Sequence, residues 1–552
     1  MTTTTAAAPG DRPWGNVLAT RSPAVGRHGM IATSQPLASA AGLAVLQHGG
    51  NAVDAAVTAA GVLAVVEPSM NGIGGDLFAL VYDAKTGRVH GLDASGRSPA
   101  AATPEEFARR KLQAMPASGA LAVNVPGVVS GWDALLNRFG TVSLATALAP
   151  AIRHARDGFP VAELAASEWA EAAPRLAQDA AAAATFLPGG TTPAMGAIFA
   201  NPRLAASLES VASGGLEAFY RGPIAEAIAA DMRARDGLLA ADDLANHTAD
   251  WVDTIHVNYR GADVHEMPPS TQGFVALEML NILEGFDIRG LGHNSADYLH
   301  VVTEAKKIAF ADRGAFLADR AFVPAQALPM LLSKDYAAGR RLEIDLRKAG
   351  AYAPGAVPGT NRARDLAGQD RGDTVYLTAA DGQGNVVSLI QSLFASFGAG
   401  IVAGDTGITL HNRGAGFVLT PGHPNQIAPA KRPLHTLVPA MILKAGRPWV
   451  SFGVMGGDNQ AQAHAQVVMN LMDFDMHVQA AGEAARMRHM DTHLALERGI
   501  GPDVRAALEA RGHRLRDGRG QMGGYQGIMI DAATGVLLGG SDLRKDGLAI
   551  GW

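Results

Sequence analysis

The clearest pattern in this sequence is a pair of apolar runs separated by a polar turn. The first run, residues 374–380, is rich in β-branched and apolar residues, and so is the second, residues 386–394. Between them lies Asp381-Gly-Gln-Gly-Asn385, a set of residues that favours a tight turn. The pattern predicts two antiparallel strands joined as a hairpin, with Thr374 at the start of the first strand.

Helical patterns dominate the chain before this hairpin. An Ala- and Leu-rich stretch at residues 36–66 predicts two helices, because glycine and asparagine interrupt it at residues 49–51. Residues 128–250 are also Ala-rich and helical in pattern, with Pro and Gly at the joints. Residues 277–283 and 296–317 predict two further helices. We therefore expect this part of the chain to be rich in helix.

Two segments rich in turn-forming residues flank these elements. Asn71-Gly-Ile-Gly-Gly75 leads into an apolar run at residues 76–82, which predicts a strand entered through a tight turn. This loop lacks the Lys-Ser/Thr of a phosphate-binding loop, so nucleotide binding is not indicated. Residues 348–371 lose all periodicity and contain scattered Gly, Pro, Asn and Asp, which predicts an exposed, mobile stretch that ends just before Thr374.

Composition narrows the possible chemistry. Apolar residues make up 48% of the 552 residues, which is enough for a large core, while 18% are charged and the net charge is −6. This balance does not indicate a nucleic-acid partner, so we expect a small-molecule substrate. The chain contains no cysteine, which excludes disulfides, thiolate metal sites and cysteine nucleophiles. Covalent catalysis would have to use a hydroxyl, a lysine or a carboxylate.

Several other features are absent from the sequence. The first 30 residues show no secretory pattern, and the longest apolar run, residues 55–66, is shorter than the roughly 20 residues that span a bilayer. We therefore expect a cytoplasmic protein without a membrane partner. His489 and His493 are four residues apart, but no glutamate lies between them, and Arg486 and Arg488 nearby favour a solvated helix end. We predict neither a metal nor an organic cofactor.

Three segments downstream change the interpretation of Thr374, which alone would be an ordinary β-forming residue. They are Phe397-Gly-Ala-Gly-Ile-Val-Ala-Gly404, Lys431-Arg-Pro-Leu-His-Thr-Leu-Val-Pro439 and Phe452-Gly-Val-Met-Gly-Gly457. In this order and spacing behind Thr374, they resemble the small subunit of the γ-glutamyltransferase (glutathione hydrolase) family of N-terminal nucleophile hydrolases. The resemblance covers nearly the whole chain through Glu67-Pro-Ser-Met-Asn-Gly-Ile-Gly-Gly75, Asn124-Val-Pro-Gly127, Ala155-Arg-Asp-Gly158, Met267-Pro-Pro269, Phe310-Ala-Asp-Arg313 and Asp542-Leu-Arg544.

The resemblance implies an α+β fold, a four-layer αββα sandwich, and a proenzyme cut between Asp373 and Thr374. The cut would give a large chain of residues 1–373 and a small chain of residues 374–552 that fold as one unit. It would also free the α-amine of Thr374, whose pKa near 8 suits a base that activates the hydroxyl. The resemblance leaves the oligomeric state open, including a homo-oligomer.

Two sets of catalytic residues are implied by the resemblance. Ser392 aligns with a hydroxyl that hydrogen-bonds the nucleophile. Gly456 and Gly457 align with the pair whose backbone N–H groups form the oxyanion hole. Glycine suits that role, because a side chain would block the approach of an oxyanion to the N–H donors.

The pocket for the acyl group departs from the family pattern. Ser95 stands where γ-glutamyl enzymes have the arginine that pairs with the substrate α-carboxylate, and Arg97, two residues further on, is a candidate to replace it in substrate binding. Gly416 replaces the acidic residue that holds the α-ammonium. Two other substrate-binding positions carry Arg413 and Phe394. The pocket has lost an anion and gained a cation.

The family's paired serines are His435 and Thr436 here. We therefore expect an amidohydrolase or acyltransferase whose acyl-enzyme forms from an amine-free carboxylic acid, as in the related oxamate amidohydrolase and cephalosporin acylases. Two alternatives stay open: an ordinary γ-glutamyl hydrolase or transpeptidase acting on glutathione, and a catalytically silent binding protein. Arg413 could instead make a structural salt bridge, and His435 could be a buried, hydrogen-bonded histidine.

Overall fold

The computed structural model describes residues 21–357, 372–518, 520 and 522–552. The strands within these residues are β1 (Ala24–Gly26), β2 (Gly29–Thr33), β3 (Asp76–Asp83), β4 (Arg88–Ala94), β5 (Phe159–Pro160), β6 (Ile198–Phe199), β7 (Asp250–Val252), β8 (Ile255–Tyr259), β9 (Ala262–Glu266), β10 (Asp373–Asp381), β11 (Val386–Phe394), β12 (Ala440–Lys444), β13 (Arg447–Val454), β14 (Met487–Met490), β15 (His493–Leu496), β16 (Leu515–Asp517), β17 (Tyr525–Ile530), β18 (Leu537–Ser541) and β19 (Leu548–Gly551).

The helices of the same residues are α1 (Pro36–Gln47), α2 (Ala52–Val66), α3 (Pro104–Arg109), α4 (Val128–Phe139), α5 (Leu144–Asp157), α6 (Glu163–Leu176), α7 (Ala180–Phe186), α8 (Pro202–Tyr220), α9 (Pro223–Ala234), α10 (Ala241–Ala245), α11 (Gly273–Leu283), α12 (Ile288–Leu291), α13 (Ala296–Phe316), α14 (Ala327–Leu331), α15 (Lys334–Arg341), α16 (Asn459–Met472), α17 (Val478–Glu483) and α18 (Pro502–Ala510). Short 3₁₀ turns lie at Ala120–Ala122, Pro188–Gly190, Arg320–Phe322 and Arg413–Gly416.

Two seven-stranded antiparallel sheets form the centre of the described structure. The first sheet has the strand order β19-β2-β10-β11-β3-β4-β7, and the second has the order β1-β18-β17-β13-β12-β9-β8. In the first sheet, β10 and β11 follow the predicted cleavage site, whereas their neighbours β2 and β3 precede it. The large and small chains predicted from the sequence therefore interleave within one sheet.

Apolar side chains fill three spaces around these sheets. One cluster packs α2, α4 and α5 against the first sheet, a second lies between the sheets, and a third packs α11, α13 and α16 against the second sheet. Strand β10 is buried on both faces, because its alternate residues pack into two different clusters. Val375, Leu377 and Ala379 lie in the helix-side cluster, and Tyr376 and Ala380 lie in the cluster between the sheets. The predicted αββα sandwich is confirmed.

The predicted hairpin is also present. Strands β10 and β11 pair antiparallel, with an irregularity of register between Asp373 and Val375. The turn between them is fixed by Asp381, whose carboxylate accepts the backbone N–H of Asn385 at 3.0 Å. Thr374 therefore lies where the ladder is interrupted, at the far end of the hairpin from its turn.

The helix predictions agree with the structure in most places. The break at residues 49–51 separates α1 from α2, because Asn51 caps the start of α2. The Asn51 side chain accepts backbone N–H groups of the first turn, and the Asp54 carboxylate accepts the backbone N–H of Asn51. Residues 128–250 contain α4 to α10, together with the short strands β5 and β6. The helices predicted further on are α11 and α13. Among the described residues, no helix has both the length and the hydropathy that crossing a bilayer requires.

The prediction for Arg486 and Arg488 is wrong. These residues lie in and beside β14, not at a solvated helix end, and both side chains are buried. The guanidinium of Arg486 donates to the carbonyl of Gly482 at 2.7 Å and to the carboxylate of Asp542 at 3.0 Å. Internal acceptors therefore replace water, which allows this arginine to be buried.

The expected exposure of residues 348–371 holds only in part for residues 348–357, which the structure describes: five of these ten residues are exposed and four are buried. Tyr352 and Val357 are buried, and the Tyr352 hydroxyl donates to the Glu304 carboxylate at 2.6 Å. Side-chain contacts, rather than a regular helix or strand, hold this segment in place, so its sequence shows no periodicity. The remainder of the stretch, residues 358–371, lies outside the described residues.

Candidate active site

Thr374 is held by a hydroxyl on the neighbouring strand. It is 2% exposed, and its Oγ1 donates to Ser392 Oγ on β11 at 3.3 Å. Ser392 Oγ also accepts the backbone N–H of Phe394 at 2.7 Å. Because its own strand end fixes Ser392, the Thr374 hydroxyl has a defined position, with its proton directed towards an acceptor.

Gly456 and Gly457 form a turn between β13 and α16. Their φ angles of 109° and 58° lie in the left-handed region, which glycine adopts without a steric penalty. Their carbonyl oxygens accept the N–H groups of Asn459 and Gln460 at 3.0 and 3.1 Å, so the start of α16 orients the pair. Within the described part of the chain neither glycine N–H is used in a hydrogen bond, which leaves two donors for an oxyanion.

The chain just before Thr374 runs against this glycine pair. A Cβ atom built on Gly372 would lie 2.6 Å from Gly457 Cα and 3.1 Å from Gly457 N. From another direction, Gln272 Nε2 donates to the carbonyl of Gly457 at 3.0 Å and to that of Thr436 at 2.9 Å. The chain two residues before Thr374 therefore lies beside Gly457.

A cavity of about 690 Å³ adjoins these residues and is called here the active-site cavity. It reaches the nucleophile region because it is lined by Phe394, which pairs with Asp373 across the hairpin, and by Asp458, which follows Gly457. Gly416 also lines it. Its polar lining includes Arg313 and Thr436, and much of its apolar lining comes from Pro104, Leu112, Met115, Phe417 and Leu419.

Four charged or ionisable side chains without solvent exposure adjoin the cavity lining. Asp76 Oδ2 lies 3.1 Å from His411 Nδ1, 3.6 Å from Arg413 Nε and 3.9 Å from His435 Nε2. Burial alone would raise the pKa of Asp76, but His411 and Arg413 hold this pKa below its usual range. Asp76 is therefore ionised and is the counter-charge of this cluster, which sequence reasoning did not identify.

Arg413 is oriented towards the cavity lining by two contacts. Its Nη1 donates to Thr436 Oγ1 at 3.2 Å, and its guanidinium carbon lies 4.0 Å from the centre of the Phe394 ring. Burial lowers the pKa of Arg413 to about 10, although Asp76 opposes this shift, so the side chain is a cation at neutral pH. Within the described residues its Nε and Nη2 have no hydrogen-bond acceptor. Arg413 thus has a salt-bridge partner and keeps donors for a further anion.

His435 is fixed by its backbone rather than by its ring. Its N–H donates to the carbonyl of Ser270 at 2.7 Å, and its carbonyl accepts the N–H of Gln272 at 3.1 Å. Neither ring nitrogen has a hydrogen-bond partner among the described residues. Burial, with Arg413 nearby, lowers the pKa of His435 well below its usual value, so the imidazole is neutral and offers one donor and one acceptor.

Arg313 and Asp458 form an ion pair in the cavity lining that the sequence analysis missed. Arg313 Nη2 donates to Asp458 Oδ1 at 2.5 Å. The signal for Arg313 was its position at the end of the Phe310-Ala-Asp-Arg313 motif, which carried resemblance but was given no role. The signal for Asp76 was a charged residue at the head of the otherwise apolar strand β3.

The structure does not bring Arg97 to the active-site cavity. Arg97 Nη2 pairs with Asp250 at 3.0 Å, and Arg97 is not among the residues that line the cavity. Ser95 is fully buried, and its Oγ donates to Asp93 at 2.6 Å. An ion pair therefore holds the Arg97 side chain away from the residues that line the cavity.

The donor set that most resembles a metal site among the described residues is His300, Glu304 and His513, away from the nucleophile. His300 Nε2 donates to the carbonyl of Asp345 at 2.8 Å, so His300 Nδ1 accepts from His513 Nε2 at 2.8 Å. Glu304 already accepts the Lys307 ammonium at 2.6 Å. These bonds satisfy the group, and a cation would have to displace an ammonium, so the residues do not fit a metal. His489 and His493 lie on the adjacent strands β14 and β15, not on one helix.

Comparison with known proteins agrees with this architecture. Residues 38–552 match the family model described as Gamma-glutamyltranspeptidase. The chain is 37% identical over 540 residues to the "Glutathione hydrolase-like YwrD proenzyme" of Bacillus subtilis (strain 168), which covers 96% of this chain and 99% of that protein. It is 35% identical over 544 residues to the "Oxamate amidohydrolase proenzyme" of Klebsiella pneumoniae, with 96% and 99% covered.

A solved structure gives the same result at the level of the fold. The crystal structure of cephalosporin acylase from Bacillus halodurans superposes with a TM-score of 0.91 at 39% identity and covers 97% of each chain. The αββα sandwich of this chain is that of an N-terminal nucleophile hydrolase. The chain belongs to the gamma-glutamyltranspeptidase family and is an enzyme of this hydrolase family.

Proposed function

We propose that the chain is a proenzyme cut between Asp373 and Thr374, and that the mature enzyme hydrolyses an amide through an acyl-enzyme on Thr374. In the precursor, the Thr374 hydroxyl attacks the carbonyl of Asp373, an N-to-O shift gives an ester, and water releases the two chains. The close approach of Gly372 to Gly457 supports this step, because it places the chain that precedes the scissile bond beside one glycine of the pair.

Cleavage gives Thr374 the base that its hydroxyl needs. The new α-amine has a reference pKa near 8, so a usable fraction is uncharged at neutral pH and accepts the proton from Oγ1. Oγ1 then attacks the substrate carbonyl, while Ser392 positions the hydroxyl. Gly456 and Gly457 stabilise the tetrahedral oxyanion, the amine leaves with the proton, and water or another amine resolves the acyl-enzyme.

The acyl group is proposed to be an amine-free carboxylic acid of the oxamate or glutaryl type. The observation that carries this proposal is that nitrogen donors of the site have unused hydrogen-bonding atoms, whereas its carboxylates already face cations. Arg413 and His435 have unused nitrogen atoms. Asp76 Oδ2 also accepts no hydrogen bond, but nitrogens of His411, Arg413 and His435 already surround it within 3.9 Å, and Asp458 pairs with Arg313. A substrate carboxylate finds donors here, and a substrate ammonium finds no unpaired anion.

Two relatives support the same class, since one is an oxamate amidohydrolase and one is a cephalosporin acylase. A second candidate, the hydrolysis of γ-glutamyl compounds such as glutathione, is favoured by the name of the Bacillus subtilis relative. The positions of Ser95 and Gly416 weigh against it, because neither supplies the charge that a zwitterionic acyl group needs.

The deciding experiment compares purified wild-type protein on three substrates: a glutaryl amide, oxamate and glutathione. We expect processed enzyme to give the highest kcat/KM with an amine-free acid. Arg413→Met should lower that value by at least about tenfold, because a buried charge-assisted contact is lost. Arg97→Ala is the matched control, since it removes an arginine that is ion-paired outside the cavity.

Three outcomes would overturn the proposal. A preference for glutathione of about tenfold or more restores the γ-glutamyl function. Equal effects of Arg413→Met on all three substrates, in protein with a normal thermal melt, remove Arg413 from acyl recognition. Protein that stays uncleaved and turns over none of the three amides is a silent binding protein instead.

A further inference from the structure

A second cavity of about 790 Å³ lies along α13. Lys306, Phe310 and Gly314 of this helix line it, while Arg313 of the same helix lines the active-site cavity. The ring of Phe310 contacts cations from both cavities: its centre lies 3.8 Å from Lys306 Nζ and 5.1 Å from the guanidinium carbon of Arg313. The two cavities are therefore neighbours along α13, on either side of Phe310.

Lys306 is buried in this second cavity without an anionic partner. It is 2% exposed, and its Nζ donates to His489 Nδ1 at 3.2 Å. An ammonium has three N–H donors, and one ring nitrogen with one aromatic face does not satisfy all three. None of the described carboxylates lies within 4.0 Å of Lys306 Nζ. Burial lowers the pKa of Lys306 to about 7, although Asp491 and Asp458 oppose this shift from beyond ion-pair distance. Part of the population therefore carries an uncharged amine at neutral pH, and an anion bound beside Lys306 would favour the ammonium.

Lys307, the next residue, has an anionic partner, in contrast to Lys306. Lys307 also lines the cavity, but its Nζ donates to Glu304 at 2.6 Å and to the carbonyl of Gly350 at 2.8 Å. Glu304 is fully committed, because its other oxygen accepts the Tyr352 hydroxyl and the Gly350 N–H. Glu304, the buried carboxylate closest in sequence to Lys306, therefore pairs with Lys307 instead.

The rest of the lining adds positive charge and polar rings. Arg514 is exposed at this cavity, and His489, His493 and His513 contribute imidazoles. Asp491 is the carboxylate in the lining, and it is exposed, so it does not accompany Lys306 into the interior. The volume lies within the range of sites that hold small ligands.

We propose that this second cavity binds a small anion with oxygen acceptors, such as a phosphate or a polycarboxylate, on the Lys306 ammonium. The anion supplies the counter-charge that the described residues do not give Lys306. Lys307, Arg514 and the Nε2–H group of His489 line the same cavity and are donors for its other oxygens. This site is separate from the acyl pocket and does not depend on the reaction proposed for Thr374.

Isothermal titration of full-length protein with inorganic phosphate and, separately, with citrate tests the proposal at neutral pH and constant ionic strength. We expect saturable binding of at least one of the two at one site per chain. Lys306→Met should weaken it by at least about tenfold. Lys444→Met is the matched control, because Lys444 also lies over an aromatic ring, Trp449 at 3.2 Å, but outside this cavity. It should leave the affinity unchanged.

A second variant keeps the test decisive if Lys306→Met fails to fold. Arg514 is exposed, so Arg514→Ala should fold normally, and we expect it to weaken binding by about threefold or more. The proposal is overturned if wild-type protein shows no saturable binding of either anion. It is equally overturned if the Lys306 or Arg514 variants that fold bind with wild-type affinity.

Discussion

Ser392 and Asp76 stand directly opposite each other at the last pair of the ladder between β11 and β3. Residues opposed in an antiparallel pair place their side chains on the same face of the sheet. The hydroxyl that holds Thr374 and the carboxylate that neutralises Arg413 are therefore fixed relative to each other by the main chain. The nucleophile and the charge of the acyl pocket depend on the same pair of strands.

The first prediction concerns Ser392. Ser392→Ala should lower kcat with little change in KM, because the lost hydrogen bond acts on the reacting hydroxyl rather than on bound substrate. A loss of about 1–3 kcal/mol in barrier, or roughly 5- to 150-fold in rate, is the expected scale. Ser388→Ala is the control, since Ser388 lies on the same strand but bonds Tyr376. Unchanged kcat in Ser392→Ala would remove this residue from the catalytic set.

The second prediction concerns cleavage of the precursor. Wild-type protein should run as two chains on a denaturing gel, and N-terminal sequencing of the smaller chain should begin at Thr374. Thr374→Ala should remain one chain, because it lacks the attacking hydroxyl, whereas Thr374→Ser should still be cut. Thr378→Ala should also be cut, since Thr378 bonds Ser451 and lies away from the scissile bond on the same strand. Active wild-type protein without a chain beginning at Thr374 would contradict the mechanism.

The third prediction concerns the stability contributed by Asp76. Asp76→Asn leaves Arg413 buried without its counter-charge, so unfolding in urea at neutral pH should require about 3–5 kcal/mol less than in wild type. Folding lowers the pKa of Asp76, so its contribution is complete above the unfolded-state pKa near 4 and is lost as the pH falls below it. The gap between wild type and variant should therefore narrow as the pH decreases below about 4.

This measurement is made in the uncleaved Thr374→Ala background, so that one chain unfolds. Asp405→Asn is its control, because the Asp405 side chain is 93% exposed and should change stability little at any pH. A gap between wild type and Asp76→Asn that stays constant down to acid pH would show that packing, not charge, is responsible.

The elements that sequence reasoning identified are those with local causes. The hairpin follows from alternating apolar residues around the turn at Asp381, and the break between α1 and α2 follows from the cap at Asn51. Both depend on residues within a few positions of each other. The assignment of Thr374, Ser392 and the glycine pair came instead from resemblance, because nothing local marks a strand threonine as a nucleophile.

The features that sequence reasoning missed depend on contacts between distant segments. Asp76 meets Arg413 because a bridge between Gly74 and Leu410 places the segment after β11 beside the start of β3. The sequence showed only the gained cation, because these segments are more than 300 residues apart. Arg486 looked solvated because its acceptor Asp542 lies far along the chain. Arg97 looked close to the pocket by sequence position, yet Asp250 holds it elsewhere. Burial and pairing of charge are properties of the assembled sandwich, not of a sequence window.

The fourth prediction restores the charge that the acyl pocket lacks. Gly416 lines the active-site cavity, and a Cβ at this position would lie 3.2 Å from the carbonyl oxygen of Leu434 and 3.6 Å from its Cγ. A small side chain therefore fits after a shift of a few tenths of an ångström. Gly416→Asp adds a carboxylate to the cavity, and Gly416→Asn adds nearly the same shape without the charge.

Gly416→Asp should move substrate preference towards γ-glutamyl amides and away from glutaryl amides, because the new carboxylate attracts an ammonium and repels a carboxylate. We expect the ratio of the two kcat/KM values to change by about tenfold or more in Gly416→Asp, and by much less in Gly416→Asn. The two substrates differ only in the α-amino group, so this ratio isolates its recognition. Equal shifts in the Asp and Asn variants would attribute the effect to shape, and the missing anion at Gly416 would then not explain the specificity proposed for this enzyme.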